Sequence, residues 1–334
     1  MTTRQLSLLA AVAIVAGCGT GSEPSVGPAD PLAQLFGPHA RNAAGRAGGR
    51  SWFAHDAVSQ DLLYVSDPPR NRVVVYSFPY GKIVGSLSGL NSPAGECVDN
   101  SGDVWITETN GAQIVEYAHG GTKPIAKLAD AKEYPIDCSI DPITGNLAVS
   151  NIESLNGDQG SIAIYAGASG LPTLHHYSNL FYPFFLSYDD ASNLFVDGEE
   201  HEGAFAFGEL PSGSGSFTKI ALNQAFELAG GVLWDGLYVT VGDEGAGVVY
   251  QTTGAGGAIV GTTQLSGAQN VAQYWIPKLG SGKSNQQGTK LVGPNLNGAG
   301  VMFWKYPGGG TATKTIAGLD APFGTAVSKS PTKR

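Results

Sequence analysis

The chain has 334 residues, a net charge of −9, charged residues at only 14% and 48 glycines, about twice the usual share. Few charges and many glycines favour short strands joined by turns and argue against a largely helical protein. The acidic balance, without a cluster of Lys and Arg, argues against a nucleic-acid partner.

The N-terminus has the features of an export signal. Arg4 precedes an apolar run at residues 6–15 that is too short to span a bilayer comfortably. The run ends in Val-Ala-Gly-Cys18, which resembles the lipobox of bacterial lipoproteins. The resemblance implies that residues 1–17 are a lipoprotein signal peptide and that Cys18 is lipidated. An ordinary secretory signal, with Cys18 incidental, is the alternative.

Residues 18–50 are rich in Gly, Ala and Pro without a period, and we interpret them as a flexible tether. The same resemblance implies an extracytoplasmic protein anchored to a bacterial membrane. In such lipoproteins, an Asp directly after the lipidated Cys retains the protein at the inner membrane. This chain has Gly19 at that position, which favours the outer membrane or cell surface. We expect the folded domain at residues 51–328 and a disordered tail at residues 329–334.

Beyond the tether, one pattern of three short strands and two turns recurs about six times. Copies of its first strand start at residues 93, 135, 183, 229, 271 and 322, which are 42, 48, 46, 42 and 51 residues apart. Second-strand copies lie at residues 62–66, 104–107, 147–150, 194–197, 237–240 and 290–293. Third-strand copies end on an aromatic residue: Tyr76, Tyr117, Tyr165, Phe207, Tyr250 and Trp304. A fainter fourth strand follows each copy.

This period, with about four strands per copy, predicts an all-β, six-bladed β-propeller of four-stranded antiparallel blades. Two segments compete for the first strand of the first blade, residues 51–56 and residues 322–328. The second is the better match, so we expect a C-terminal strand to close the ring and remove its free sheet edges.

The pattern Pro-x-Gly…Val-Asp-x-x-Gly-x-Val-Trp-Ile-Thr…Asn-x-x-Ile-x-x-Tyr resembles the NHL-repeat propellers. It is similar also to the superfamily of senescence marker protein/gluconolactonases (SMP-30), strictosidine-synthase-like hydrolases and virginiamycin B lyases. The resemblance covers residues of about 60 to 328. It implies the fold but not one activity, because the superfamily mixes enzymes with binding modules.

In a propeller, the loops before first strands and between second and third strands share one face, which we call the top face. Ligand-binding candidates at the start of first strands there are Glu96, Asp137, Phe185 and Gln273, with Glu108 in a second-to-third loop. Glu96 and Asp137 fall on neighbouring blades and could act as an acid and a base, or line the channel as hydrated groups.

Acidic residues crowd the top-face loops and raise the alternatives of a Ca²⁺ site or a solvated rim. Glu199, Glu200 and Glu202, beside His201, are the densest metal candidates, although they lack a recognised ligand spacing. The lactonase branch of the resemblance implies a divalent metal held by Glu, Asn and Asp, but its opening motif is missing. The lyase branch implies a channel His, and no first-strand copy in the column from residue 93 onward contains one.

Asp99, Asp141, Asp189 and Asp235 recur once per copy at the first turn, and we interpret them as turn caps rather than catalytic groups. Cys97 and Cys138 have opposite parity in neighbouring first strands, so each can face the other across a blade interface. A disulfide is permitted there, and two buried free thiols are the alternative.

Together these patterns favour a non-catalytic, lipid-anchored propeller that binds a protein, peptide or glycan through its top-face loops, with no certain cofactor. The alternative is a metal-dependent lactonase or related hydrolase of the SMP-30/gluconolactonase type acting in the central channel.

Overall fold

The computed structural model describes residues 49–268, 270–278 and 288–331, so the predicted signal peptide, Cys18 and nearly all of the tether lie outside the described residues. Short 3₁₀ turns and loops join the strands. In chain order the strands are Trp52–Phe53 (β1), Leu62–Asp67 (β2), Arg72–Ser77 (β3), Ile83–Ser88 (β4), Pro93–Val98 (β5), Val104–Glu108 (β6), Gln113–Tyr117 (β7), Pro124–Ala129 (β8), Glu133–Ile140 (β9), Leu147–Ser154 (β10), Gln159–Tyr165 (β11), Thr173–His175 (β12), Tyr182–Tyr188 (β13), Leu194–Glu199 (β14), Phe205–Leu210 (β15), Thr218–Lys219 (β16), Ala229–Trp234 (β17), Val239–Asp243 (β18), Val248–Thr252 (β19), Ile259–Ser266 (β20), Lys290–Asn295 (β21), Gly300–Lys305 (β22), Gly310–Thr311 (β23), Lys314–Ala317 (β24) and Thr325–Ser328 (β25).

Six small antiparallel sheets form a six-bladed β-propeller, which confirms the predicted fold class. Blades 2, 3 and 4 have four strands each in chain order, β5 to β8, β9 to β12 and β13 to β16. Second strands such as β2 and β6 are buried along their whole length, because each blade packs against a neighbour on both faces.

The C-terminal strand closes the ring, as predicted. β25 pairs antiparallel with β2 from Leu62–Ser328 to Val65–Thr325 and is the inner strand of blade 1. The competing segment takes a different place, because Trp52 and Phe53 pair with β4 at the outer edge of that blade. A Cβ on Gly85 would lie 2.5 Å from the Phe53 ring, so the glycine makes room for this fifth strand.

Blade 6 departs from the regular pattern at its inner edge. The predicted first strand at residues 271–277 pairs with β21 only through one bridge, between Trp275 and Val292. Backbone bonds in an antiparallel pair recur every second residue. The next bonded positions on either side would involve Pro277 and Pro294, and neither has an N–H to donate. The ladder therefore stops after one bridge.

The core lies in the interfaces between blades. The third-strand aromatics are all buried, at 9% exposure or less. Between blades 2 and 3 the cluster includes Trp105, Leu147 and Tyr165, and within it Cys97 and Cys138 form a disulfide with their Cα atoms 5.6 Å apart. The two cysteines thus join the inner strands of neighbouring blades.

The first residues after β25 are held rather than loose. Ser330 is fully buried and its N–H donates to the Asp61 carboxylate at 2.9 Å. Over the described ranges, no helix has the length and apolar character needed to cross a membrane.

Candidate functional site

Gln273 bridges the upper half of the central channel. Its Oε1 accepts the backbone N–H of Glu96 at 2.9 Å and that of Thr325 at 3.0 Å. Its Nε2 donates to the backbone carbonyl of Glu96 at 2.8 Å and to the Asp137 carboxylate. These partners lie on the inner strands of blades 1, 2 and 3, and Gln273 belongs to blade 6. One buried amide therefore links four blades across the axis.

Two aromatic rings fill the channel beside this amide. Phe185 and Phe323 are fully buried and stack with their ring centroids 5.9 Å apart. Next to Phe323, the Gly324 N–H donates to the Ser66 hydroxyl at 2.7 Å. A Cβ on Gly324 would lie 2.2 Å from the Ala94 carbonyl oxygen, so only glycine fits this close approach. We call Gln273, Phe185 and Phe323 the channel plug.

Glu96 lies behind the channel plug without access to solvent. Its side chain is fully buried, and neither carboxylate oxygen has a hydrogen-bond partner of ordinary geometry. Burial raises the pKa of Glu96 well above its usual range, and the Ala326 backbone N–H offsets only part of that effect. The neutral acid is therefore the favoured form.

Asp137 and Asp197 are also buried in the channel, at 1% and 0% exposure. Burial raises the pKa of Asp137, although backbone N–H groups donate to both of its oxygens. A Cβ on Gly95 would lie 2.5 Å from Asp137 Oδ1, so this glycine lets the carboxylate approach blade 2. Burial first, and then the charges of Asp137 and Glu244, raise the pKa of Asp197. These carboxyl groups can hold protons, but they do not face an open site.

The open part of the channel is at the opposite, lower face. A cavity of about 1060 Å³ is lined by the ends of the first strands and by first-to-second turns. We call this cavity the funnel. Its wall includes Trp234, Trp275 and the exposed Ile143, which is 67% accessible. Lys278 lies at its rim with Nζ 3.5 Å from Asp190, and burial lowers the pKa of this lysine.

The serine hydroxyls inside the funnel already accept backbone N–H groups, whereas the Trp234 indole N–H has no hydrogen-bond partner among the described residues. The Ser139 hydroxyl accepts the Tyr188 N–H at 3.0 Å, and the Ser187 hydroxyl accepts the Trp234 N–H at 3.0 Å. No histidine is among the described residues that line the funnel. The described wall therefore contains no serine–histidine pair of the kind used in nucleophilic catalysis.

The structure brings four of the predicted ligand-binding candidates together, in and around the channel plug. Glu96, Asp137 and Phe185 are buried there, while Gln273 also reaches the inner end of the funnel. Glu108 serves another purpose. It is 3% exposed, and its Oε2 accepts the Asn91 N–H at 2.8 Å, so it fixes the loop before β5. Burial raises its pKa, although hydrogen bonds to its carboxylate offset part of that effect.

The three predicted metal candidates are not gathered at one point. Glu200 forms an ion pair with Lys219, Glu202 is exposed, and neighbouring His201 packs edge-on against Phe181. Another group of carboxylates does come together. Among the described residues, Asp99, Asp103 and Glu116 each have a carboxylate oxygen within 4.8 Å of the other two, as a shared metal ion would require.

That set lies under blade 2, beside a cavity of about 290 Å³. Asp99 Oδ1 accepts the Asp103 N–H at 2.8 Å, so Asp99 caps its turn as interpreted from the sequence. Burial, followed by the two aspartate charges, raises the pKa of Glu116 to about 7. Glu116 was not among the predicted metal candidates. Its nearness to the turn that Asp99 caps depends on the register between β6 and β7, which the sequence pattern does not give.

The sequence patterns did not predict the funnel. One feature of the sequence could have indicated it: several first-strand copies end in a bulky residue. Three of these residues line the funnel, namely Tyr188, Trp234 and Ile276. These residues were interpreted only as part of the repeat.

No protein-family model matches the chain, and no curated protein matches it. Solved structures do resemble it. A chain of the nidogen/laminin complex superposes with a TM-score of 0.64 at 13% identity, over 81% of this chain and 98% of that one. A protein of unknown function from Bacteroides caccae gives 0.58 at 13% identity, over 80% and 99%. A functionally unknown protein from Desulfotomaculum acetoxidans gives 0.56 at 14% identity, over 81% and 99%. At such identities the likeness concerns the fold alone.

Proposed function

We propose that the chain is a non-catalytic binding propeller that accepts a peptide segment of a partner protein in the funnel. The observation that carries this proposal is the contrast between the two ends of the channel. The top end holds the buried channel plug, while the lower end opens into a cavity of about 1060 Å³. This moves the proposed binding surface from the top-face loops to the lower face.

The funnel's wall favours a peptide over a glycan. The serine hydroxyls of the inner wall already accept backbone N–H groups, and the Trp234 indole N–H, which has no partner in the described part of the chain, can donate to a peptide carbonyl. Trp234, Trp275 and Ile143 offer apolar surface, and a volume of this size holds one or a few side chains. Aromatic anchors in a pocket are the usual source of peptide affinity.

The cellular setting of the proposal comes from the sequence. The lipobox-like segment ending at Cys18 and the following tether would display the propeller outside the cytoplasm, on the outer membrane or cell surface. The partners are then the membrane, through the lipid, and an extracytoplasmic protein. A net charge of −9 speaks against a nucleic acid.

The test is selection of a random peptide library displayed on phage, followed by affinity measurements on synthetic peptides. Peptides that bind the wild type should lose about tenfold or more in affinity with Trp234→Ala or Ile143→Ala. Ile125→Ala is the matched control, because Ile125 is 55% exposed on β8 and does not line the funnel. Binding that is insensitive to both funnel variants would contradict the proposal.

The lactonase alternative rests on the buried carboxyl groups of Glu96 and Asp137, whose raised pKa values are typical of catalytic acids. Their oxygens lie behind the channel plug, so a substrate in the funnel would not contact them. Metal-dependent lactone turnover that disappears in Glu96→Gln or Asp137→Asn would overturn the binding proposal.

A further inference from the structure

A second group of oxygen atoms lies outside both the channel and the funnel, where the chain crosses from blade 2 to blade 3. Asp130 follows β8, Glu133 begins β9, and Asn151 lies on β10. Their exposures are 1%, 5% and 0%. Four of their side-chain oxygens have no hydrogen-bond partner of ordinary geometry: both of Asp130, Oε2 of Glu133 and Oδ1 of Asn151. Buried acceptors without donors are costly, so this grouping calls for a positive charge.

Backbone geometry holds the three side chains at one place. The Glu133 N–H donates to the Asp130 carbonyl at 3.1 Å, which closes a tight turn through Lys132 with a φ of 74°. The β9–β10 register shifts on both sides of Asn151, and such bulges redirect side chains. Asn151 Nδ2 donates to the Ser161 hydroxyl at 3.0 Å, which leaves its Oδ1 for another partner.

The pKa values of Asp130 and Glu133 are consistent with two carboxyl groups that are buried close together. Burial raises the pKa of Asp130 to about 6, and the Tyr165 hydroxyl and the Asn151 amide offset part of that effect. Burial, and then the charge of Asp130, raises the pKa of Glu133 to about 7. Among the ion pairs of the described residues, none involves Asp130 or Glu133. In the described part of the chain, no Lys, Arg or His side chain therefore neutralises Asp130 and Glu133 through an ion pair.

We propose that Asp130, Glu133 and Asn151 form a Ca²⁺ site that ties the crossover between blades 2 and 3 to the second strand of blade 3. All of the unpartnered atoms are oxygens, which hard cations prefer, and there is no nitrogen or sulfur ligand to favour zinc. Ca²⁺ tolerates irregular sets of carboxylate and amide oxygens, whereas Mg²⁺ keeps several waters that this buried place would have to admit.

The site is independent of the proposed peptide binding, so its test does not use a peptide. The metal-free protein is titrated with CaCl₂ by calorimetry, and its melting temperature is recorded with and without Ca²⁺. We expect one ion per chain with a Kd on the order of 10⁻⁴ M or below. A hundredfold excess over Kd should raise the melting temperature by about 5 °C.

Asp130→Asn is the diagnostic variant, because it keeps the shape and removes one charged ligand. Its affinity for Ca²⁺ should fall at least about tenfold, while without Ca²⁺ it should melt at or above the wild-type temperature, since a buried negative charge is gone. Asp158→Asn is the matched control, because Asp158 is exposed on the neighbouring β10–β11 loop.

Three results would overturn the proposal. The first is no saturable Ca²⁺ binding up to millimolar concentration, which would mean that the Tyr165 hydroxyl and the Asn151 amide already satisfy Asp130. The second is binding that survives in Asp130→Asn and disappears in Asp99→Asn, which would move the site to the carboxylates under blade 2. The third is an equal loss of stability in Asp130→Asn with and without Ca²⁺, which indicates a purely structural acid.

Discussion

Replacing Gln273 with alanine removes the amide that links the inner strands of blades 1, 2 and 3 to blade 6. Alanine keeps the backbone bonds of this position, including the Gln273 N–H to the Phe323 carbonyl at 3.3 Å. It leaves three buried groups without their partner: the N–H of Glu96, the carbonyl of Glu96 and the N–H of Thr325. Asp137 Oδ1 loses one of its two donors and keeps the Cys138 N–H. The substitution therefore acts mainly by removing the hydrogen bonds of the Gln273 side chain.

The expected cost follows from the count of orphaned groups. A buried polar group without a partner costs about 1–3 kcal/mol. Gln273 also lines the inner end of the funnel, so water can reach some of the vacated positions and reduce the cost. We take the lower end for each of the three groups and expect a loss of about 3 kcal/mol. That is a large share of the roughly 5–15 kcal/mol that stabilises a typical domain.

Urea unfolding, followed by tryptophan fluorescence and by circular dichroism, measures this loss. Gln264→Ala is the matched control, because Gln264 is exposed and donates only to loop carbonyls at 3.0 and 3.4 Å. We expect it to change stability by less than about 0.5 kcal/mol. A loss below about 1 kcal/mol in Gln273→Ala would refute the reasoning, because the channel plug would then owe little to its amide.

Two further predictions concern the same region. Replacing both Cys97 and Cys138 with alanine removes a cross-link with a sequence separation of 41, and the chain-entropy relation gives a loss of about 4 kcal/mol. Urea unfolding of the variant, and of the wild type with and without reductant, measures it; a wild type that is insensitive to reductant would contradict it. Asp197→Asn tests the buried acids. Because the folded protein raises the pKa of Asp197, the stability owed to its protonated form is complete at low pH and is lost as pH rises through the raised value. The free energy of unfolding of Asp197→Asn, relative to that of the wild type, should therefore increase as the pH rises above the ordinary aspartate pKa of about 4. An equal effect of the substitution at all pH values would count against this reasoning.

Most of the blades could be predicted from the sequence because strand and turn signals are local. Residues 104–107 were predicted as a second strand, and β6 covers Val104–Glu108. The aromatic end of each third strand was also a sound guide to burial, as Trp304 at 0% exposure shows. Ring closure was predictable because the segment starting at residue 322 matches the first-strand column.

The state of the channel could not be predicted in this way. The sequence placed Glu96 and Gln273 near the axis, but whether they face solvent depends on Phe185 and Phe323, which come from blades 4 and 1. The Asp130, Glu133 and Asn151 cluster has the same origin, because a bulge and a left-handed turn bring together residues from one loop and two strands. Such contacts depend on distances between blades, which a repeat pattern does not contain.

The closing strand has a consequence for how the ring is made. During synthesis, β2 emerges early, but its inner partner β25 is joined to it only after all the intervening blades have been built. Until then, blade 1 presents an unpaired inner edge, and such edges pair readily with other chains. A protein cut short before residue 325 would lack under a tenth of its length and yet keep that edge permanently open. We therefore expect C-terminal truncation to cause aggregation out of proportion to the residues removed.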